Sequence, residues 1–401
     1  MVKGYAKRSV AALVIAVAMS TPATAAGKQY DPGADDHTIK VGNIMSTTGN
    51  GAAFGAVARA EAAYFTMINA RGGVNGRKID FISLDSSSGD PLTLAHQLVE
   101  QDNVLLLFSP IGAEANLAIR PYLNEKRVPQ LFVESSSAAF DDPSQFPWTM
   151  GFFATYRSEG AAYAKYVLQT KPNAKIGVLY ADSDTGREYL AGVHDGLGAS
   201  ASTAIVKEAA YRVSDPAIDA QIASLRASGA DVFFNFAVGG FATRAIRAAY
   251  DAGWHPLQFI PNASISMAAF LDPAGLKKAS GVISNARSKG WLRPGEQSDP
   301  AVRDFLAFLN TYDPSASPRD QLTVSGYERA QTLVEVLSRC GDDLTRATVM
   351  KQATHLDLDL GILRPGIKIE TSPTDYQPIK QFFLIRFDGQ DWNPLGPVIG
   401  D

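Results

Sequence analysis

Six short segments of this chain carry groups suited to holding a small molecule by hydrogen bonds: residues 46–54, 109–113, 134–138, 182–187, 237–240 and 262–266. They supply hydroxyls (Ser46, Thr47, Ser135, Ser136, Ser137, Thr185, Ser264), an amide (Asn262), a carboxylate (Asp184), and main-chain groups at Ile111, Gly112, Ala113 and Gly239, and Asn235 adds a second amide just before 237–240. Phe54 adds an apolar platform and Tyr156 a phenol. Ser, Gly and Asn also make turns and helix N-caps, so one such segment carries little weight. Six carry more. Bond-breaking chemistry has no comparable support. There is no H-E-x-x-H, G-x-S-x-G or S-x-x-K pattern, the arrangements that place a metal-bound base or an activated serine. His37, His96, His194, His255 and His355 stand singly without metal-ligand spacing, and Asp35-Asp36, Asp141-Asp142 and Asp342-Asp343 read as solvated loop groups. No metal or cofactor is expected. Residues 49–55 (Gly49-Asn50-Gly51-Ala52-Ala53-Phe54-Gly55) come near a dinucleotide fingerprint. Residues 46–48 lengthen that turn, however, and the next strand-end acid, Asp85, lies about 30 residues past Gly55 where about 20 are required. An NAD-dependent enzyme is the weaker reading.

Each segment follows an apolar run that reads as a strand. Residues 39–44 predict a buried strand; the helix after it puts Val57, Ala60, Tyr64, Met67 and Ile68 on one face. Gly72-Gly73 ends that helix, and 78–84 is the next strand. Short strands alternating with helices predict parallel βαβ units and an α/β fold. The alternation restarts after Gly151, with helices over 158–169, 188–197 and 217–228 and strands over 175–180, 204–207 and 231–236. Helices over 303–312 and 327–340 and a hairpin turning at Asp388-Gly389 complete the pattern. A faint internal echo organises all of this. Val104-Leu105-Leu106-Leu107-Phe108, Ala118-Ile119-Arg120 and Pro129-Gln130-Leu131-Phe132 reappear about 127 residues later as Val232-Phe233-Phe234-Asn235-Phe236, Ala245-Ile246-Arg247 and Pro256-Leu257-Gln258-Phe259. A doubled unit implies two similar lobes. In open parallel sheets ligands lie beyond the carboxyl ends of the strands, where helix N-termini offer unpaired N–H groups.

The N-terminus gives an address. Lys3, Lys7 and Arg8 precede an apolar run over 10–19, and Ala23-Thr24-Ala25 forms a cleavage pattern, so residues 1–25 read as a removable signal peptide. Ten apolar residues are too few to span a bilayer, which needs about 20. No Cys follows the run, so no lipid anchor is expected. Removing those residues takes away three Lys/Arg and no Asp/Glu, moving the formal charge from −4 to −7. That balance disfavours nucleic acid and anionic membrane as partners. Cys340 is the only cysteine, which excludes an internal disulfide. A chain 46% hydrophobic and 401 residues long suits two domains.

Residues 39–85, with Ser46-Thr47-Thr48-Gly49 and the run Ile68-Asn69-Ala70-Arg71-Gly72-Gly73-Val74-Asn75-Gly76-Arg77, resemble the periplasmic solute-binding proteins of branched-chain amino-acid-type ABC importers. The resemblance extends over nearly the whole mature chain. It implies a type I periplasmic binding protein fold, in which two Rossmann-like lobes joined by three crossovers close on ligand and dock on a membrane permease. In amino-acid-binding relatives, first-lobe loops hold the ligand carboxylate. Here Gly112 falls where a Ser often stands, and Ser136 and Ser137 fall in the second carboxylate-contacting loop. Phe54 matches an aromatic that packs on the ligand, and Thr185 stands where many relatives have Tyr. Ala263 falls near the acid that meets the ligand's ammonium. Burying an unpaired ammonium is costly, so the departure favours an aromatic or aliphatic carboxylate unless Asp184 or Asp182 takes over; leucine or a relative stays open.

The expected protein is therefore a periplasmic substrate-binding component of an ABC transporter and not an enzyme. Lobe 1 is expected over 38–152 plus 286–370 and lobe 2 over 153–285 plus 371–401. A ligand sensor feeding a receptor or two-component system is the alternative, since both roles use the same hinge and cleft.

Overall fold

Strands form where apolar runs are short and β-branched or aromatic, and a computed structural model places them in two main sheets, beside two short pairings of residues 29–30 with 343–344 and 357–358 with 369–370. It describes residues 1, 2, 4, 27–289 and 295–400; the apolar run over 10–19 and the cleavage pattern at 23–25 lie outside the described residues. The first sheet holds β1 (Thr38–Met45), β2 (Lys78–Asp85), β3 (Leu106–Phe108) and β4 (Gln130–Leu131), all parallel, in the order β2-β1-β3-β4. The second holds β5 (Ile176–Ala181), β6 (Ile205–Tyr211), β7 (Val232–Phe236), β8 (Leu257–Phe259), β9 (Ile283–Ala286), β10 (Phe382–Phe387) and β11 (Trp392–Ile399). Its order is β11-β10-β9-β8-β7-β5-β6; β5 to β9 are parallel, and β10 runs antiparallel to β9 before pairing with β11 across the expected hairpin.

The internal echo is structural. Strand β3, helix α2 (Ala113–Glu125) and β4 in the first sheet match β7, helix α5 (Gly240–Asp251) and β8 in the second. Strand β7 shows why its run is continuously apolar. Val232, Phe234 and Phe236 join the core on one face and Phe233 the core on the other, so no residue of the strand meets water.

Helix α1 (Gly55–Ala70) packs against α6 (Gln321–Cys340), and a Cβ at Gly326 would come within 2.5 Å of the Val57 carbonyl oxygen. The chain thus leaves the first sheet after β4, returns after β9 to build helices against α1, and crosses again into β10. The crossings are tied together: Ile379 N donates to Phe152 O at 3.1 Å, and Gln377 Nε2 donates to Phe153 O at 3.2 Å. Arg364 N donates to Arg287 O at 2.9 Å. Several helices start earlier than apolar spacing suggests. Capped by Asp320, α6 begins six residues before 327, and α4 (Asp184–Leu197), capped by Ser183, begins four before 188. Cap chemistry sets those starts while the apolar stripe begins a turn or two later. No helix among the described residues is long and apolar enough to cross a membrane.

Candidate functional site

A cleft of about 830 Å³ lies between the carboxyl ends of the two sheets. The first-sheet side contributes Ser46, Phe54, Ile111 to Ala115 and Glu134 to Ser136, with Gln321, Leu322 and Ser325 from the first turns of α6. The second-sheet side contributes Thr185 and Tyr189 from α4, Val213, Val238 to Phe241, Arg244 and Pro261 to Ala263. Phe153, Tyr156, Glu159 and Arg287 come from the crossings and from the start of α3 (Tyr156–Thr170). Most of the wall is apolar, with polar atoms concentrated at strand ends, the usual make-up of a small-molecule site.

Two helix N-termini face this space from equivalent places in the doubled unit. Helix α2 starts after Gly112 at φ 91° and α5 after Gly239 at φ 55°, and neither has a side-chain cap. Positive φ at both explains glycine there. The uncapped first-turn N–H groups and the positive dipole ends form acceptor-binding surfaces. Ser135 Oγ lies 3.4 Å from the Tyr156 hydroxyl, and Tyr156 N donates to Ser136 O at 2.8 Å, fixing the serine loop beside α3.

The charges at the cleft are largely committed. Arg287 donates through Nε to Glu328 at 2.8 Å, through Nη2 to Ser325 at 2.9 Å and through Nη1 to Asn262 Oδ1 at 3.4 Å. Its guanidinium lies 4.3 Å from the Phe153 ring centroid, and Arg329 lies 5.1 Å from the same ring. A guanidinium has five N–H groups, so Arg287 keeps donors for a ligand. Fully buried Arg329 pairs with Glu134 and, at 3.6 Å, with Glu61. Burial pushes Glu61 up to about 8 against the pull of Arg329. Glu159 accepts from Tyr163 Oη at 2.6 Å, Asn262 N at 2.8 Å and Tyr189 Oη at 2.9 Å; burial outweighs these donors and raises it to about 6.

A doubled α/β unit whose strand ends and helix N-termini enclose one cleft is the architecture of a solute binder, and comparison agrees. A family model described as "Periplasmic binding protein" matches residues 38–391. The chain belongs to the periplasmic binding protein family. Among solved structures it is similar to a branched-chain amino acid ABC transporter protein from Thermus thermophilus with bound valine (16% identity, 91% of this chain and 97% of that one, TM-score 0.80). It is similar also to a fatty acid ABC transporter substrate-binding protein from Thermomonospora curvata (20%, 94% and 95%, 0.79). A third is a solute binding protein from R. palustris in complex with 4-hydroxybenzoate (18%, 91% and 97%, 0.77). At these identities the likeness speaks to the fold. No curated protein matches the chain.

Within this periplasmic binding protein the cleft brings together Ser46, Phe54, Ile111, Gly112, Ala113, Ser135, Ser136, Tyr156, Thr185, Gly239 and Asn262, with Ala263 beside them. Five expected site residues are placed elsewhere. Thr47 turns its hydroxyl to Asp85, and Ser137 caps a short turn while its Oγ meets Glu188. Asp184 pairs with Arg187 at 2.8 Å on the surface, as Asp182 does at 2.9 Å, so neither reaches the cleft to replace an ammonium anchor. Asn235 is fully buried, bracing residues 237 and 242, and Ser264 is buried behind Ala263. Glu134, from the expected segment 134–138, lines the cleft too, and Glu159, Arg287 and Gln321 line it unforeseen. Pairing could not have revealed Glu159 from sequence, because its Asn262 donor lies 103 residues away.

Proposed function

We propose that this protein is the substrate-binding component of an ABC importer, exported to the periplasm, which captures a small organic acid between its lobes and hands it to a membrane permease. On this reading residues 38–152 with 286–370 move as one lobe and 153–285 with 371–401 as the other. The observation that carries the ligand class is the charge at the cleft. Glu134 is occupied by Arg329 and buried Glu159 by three donors, while Arg287 keeps free N–H groups. With Ala263 at the position expected of an ammonium anchor, a zwitterion would be desolvated without a partner. A carboxylate finds the uncapped starts of α2 and α5, Ser46 and Ser136. That relatives of this fold hold valine and 4-hydroxybenzoate is consistent with an acid of that size.

The test is a thermal-shift screen of the mature protein against plain aromatic and aliphatic acids in one set and amino acids in another. A ligand at 100 times its Kd stabilises the fold by about 2.7 kcal/mol. Hits among the plain acids are expected; hits confined to amino acids would overturn the ligand class.

A further inference from the structure

Most buried carboxamides among the described residues are saturated, Gln258 Nε2 being an orphan away from the cleft. Asn43 donates to the carbonyls of Phe108 and Ser109 and accepts from Ser83 Oγ. Asn116 donates to the carbonyls of Pro110 and Gly112, and its Oδ1 accepts from Gln130 Nε2, whose own oxygen accepts from Thr149. Gln321 is the exception at the cleft. It is 4% exposed and lines the cleft, yet neither Nε2 nor Oε1 has a hydrogen-bond partner among the described residues.

Its placement is fixed. Asp320 caps α6 by accepting from Leu322 N at 3.1 Å, which sets Gln321 as the first helical residue. Gln321, Ser325 and Glu328 then share one helix face, and the latter two hold the Arg287 guanidinium. An amide left unpaired in such a place is costly unless a bound molecule completes it. Both its donor and its acceptor are vacant, which restricts the complement. A carboxylate only accepts and an ammonium only donates, so each leaves one end of the amide unmatched. A hydroxyl does both and adds no charge beside Arg287, whose own charge Glu328 balances.

Building on the organic-acid reading above, we propose that Gln321 is a specificity-determining residue of this cleft, and that it recognises a hydroxyl group carried by the acid. The solute class is then a hydroxylated aromatic or aliphatic carboxylate. Truncation of the amide should cost the hydroxylated acid its advantage and leave the parent acid nearly untouched.

Calorimetric titration of the mature protein with matched pairs tests this: benzoate against 3- and 4-hydroxybenzoate, and hexanoate against 6-hydroxyhexanoate. In the native protein one hydroxylated member should bind at least about tenfold tighter than its parent. Gln321→Met, close in volume and lacking the amide, should erase that preference and change the parent's Kd by less than about threefold. Ligand-free Gln321→Met should also melt no lower than the native protein, because no protein partner is lost. Parent acids that bind with no hydroxyl preference, or a preference that survives in Gln321→Met, overturn the proposal and leave the organic-acid reading standing. A markedly lower melting temperature in the ligand-free variant overturns it too, by revealing a protein partner for the amide. If only amino acids bind, both readings fall.

Discussion

Ala263 is the position at which one substitution should change the kind of molecule the cleft accepts. Ala263→Asp adds a carboxylate to the wall beside Asn262. At an effective dielectric near 20, unit charges about 4–8 Å apart interact by about 2–4 kcal/mol. The variant should therefore lose plain acids by at least an order of magnitude in Kd and gain measurable affinity for amino acids, both read by calorimetry. Ser136→Ala should weaken acid binding by about 1–3 kcal/mol, whereas Ser137→Ala acts at a distance because its hydroxyl meets Glu188. Glu159 makes a pH test. Burial holds it near 6, above its ordinary 4.5, so the folded protein binds the extra proton between those values. Its contribution to stability is present below pH 4.5 and is lost as the pH rises through 6, by about 2 kcal/mol. Unfolding free energies from urea titrations of the native protein and Glu159→Gln at pH 4.5 and 7 should diverge by that amount; parallel changes would show that Glu159 titrates alike in the folded and unfolded states. Strand-end loop residues such as Ser46 and Ser136 were legible because their positions follow from the strand–helix alternation. Glu159 and Gln321 were not. A buried polar residue looks alike in sequence whether its partners surround it, as for Glu159, or are missing, as for Gln321.

At the scale of elements, α3 and α4 carry Tyr156, Thr185 and Tyr189 to the cleft and must lie unusually close to do so. A Cβ on Gly160 would come within 2.5 Å of Tyr189 O, one on Gly192 within 2.1 Å of Arg157 O, and one on Gly196 within 2.4 Å of Ala161 O. Backbone meets backbone at all three, so no side-chain rotation relieves the contact. Gly192→Ala should cost about 1–3 kcal/mol of stability and, by displacing Tyr156 and Tyr189, weaken ligand binding as well. Chemical denaturation and titration of the same sample check both effects; an unchanged denaturation midpoint would mean that the pair slides without cost. The doubled unit, the parallel strands and the final hairpin were all readable, because short apolar runs between glycine- and proline-marked turns admit few alternatives. Helix starts were less so. At α6 the stretch before Tyr327 has a capping Asp320 but few apolar residues, and the burial of its first turn comes from contacts with the cleft wall and the Arg287 network. The start of a helix that packs on distant chain is written in its cap more than in its periodicity.

For the molecule as a whole, the proposed capture of a solute between lobes predicts that contacts crossing the cleft's edge favour closure. Glu188 on α4 meets Ser137 Oγ and accepts from Ala138 N at 3.1 Å, joining the second-sheet side to the serine loop of the first. None of these three residues lines the cleft. Glu188→Ala should thus raise Kd about tenfold by depopulating the closed form without removing a ligand contact. Small-angle scattering with saturating ligand should still show the compact form, while the ligand-free variant should be more extended than the native protein; identical profiles would show that the contact does not govern closure. Burial lifts the thiol of Cys340 to about 12, leaving it un-ionised and shielded at neutral pH. Val213, by contrast, is 63% exposed and lines the mouth of the cleft. A thiol-reactive fluorophore attached through Val213→Cys would consequently label one place on the chain, and its emission would report ligand capture in real time. The lone thiol, buried and contributing no cross-link to the fold, makes this protein a ready scaffold for an optical sensor of its own cargo.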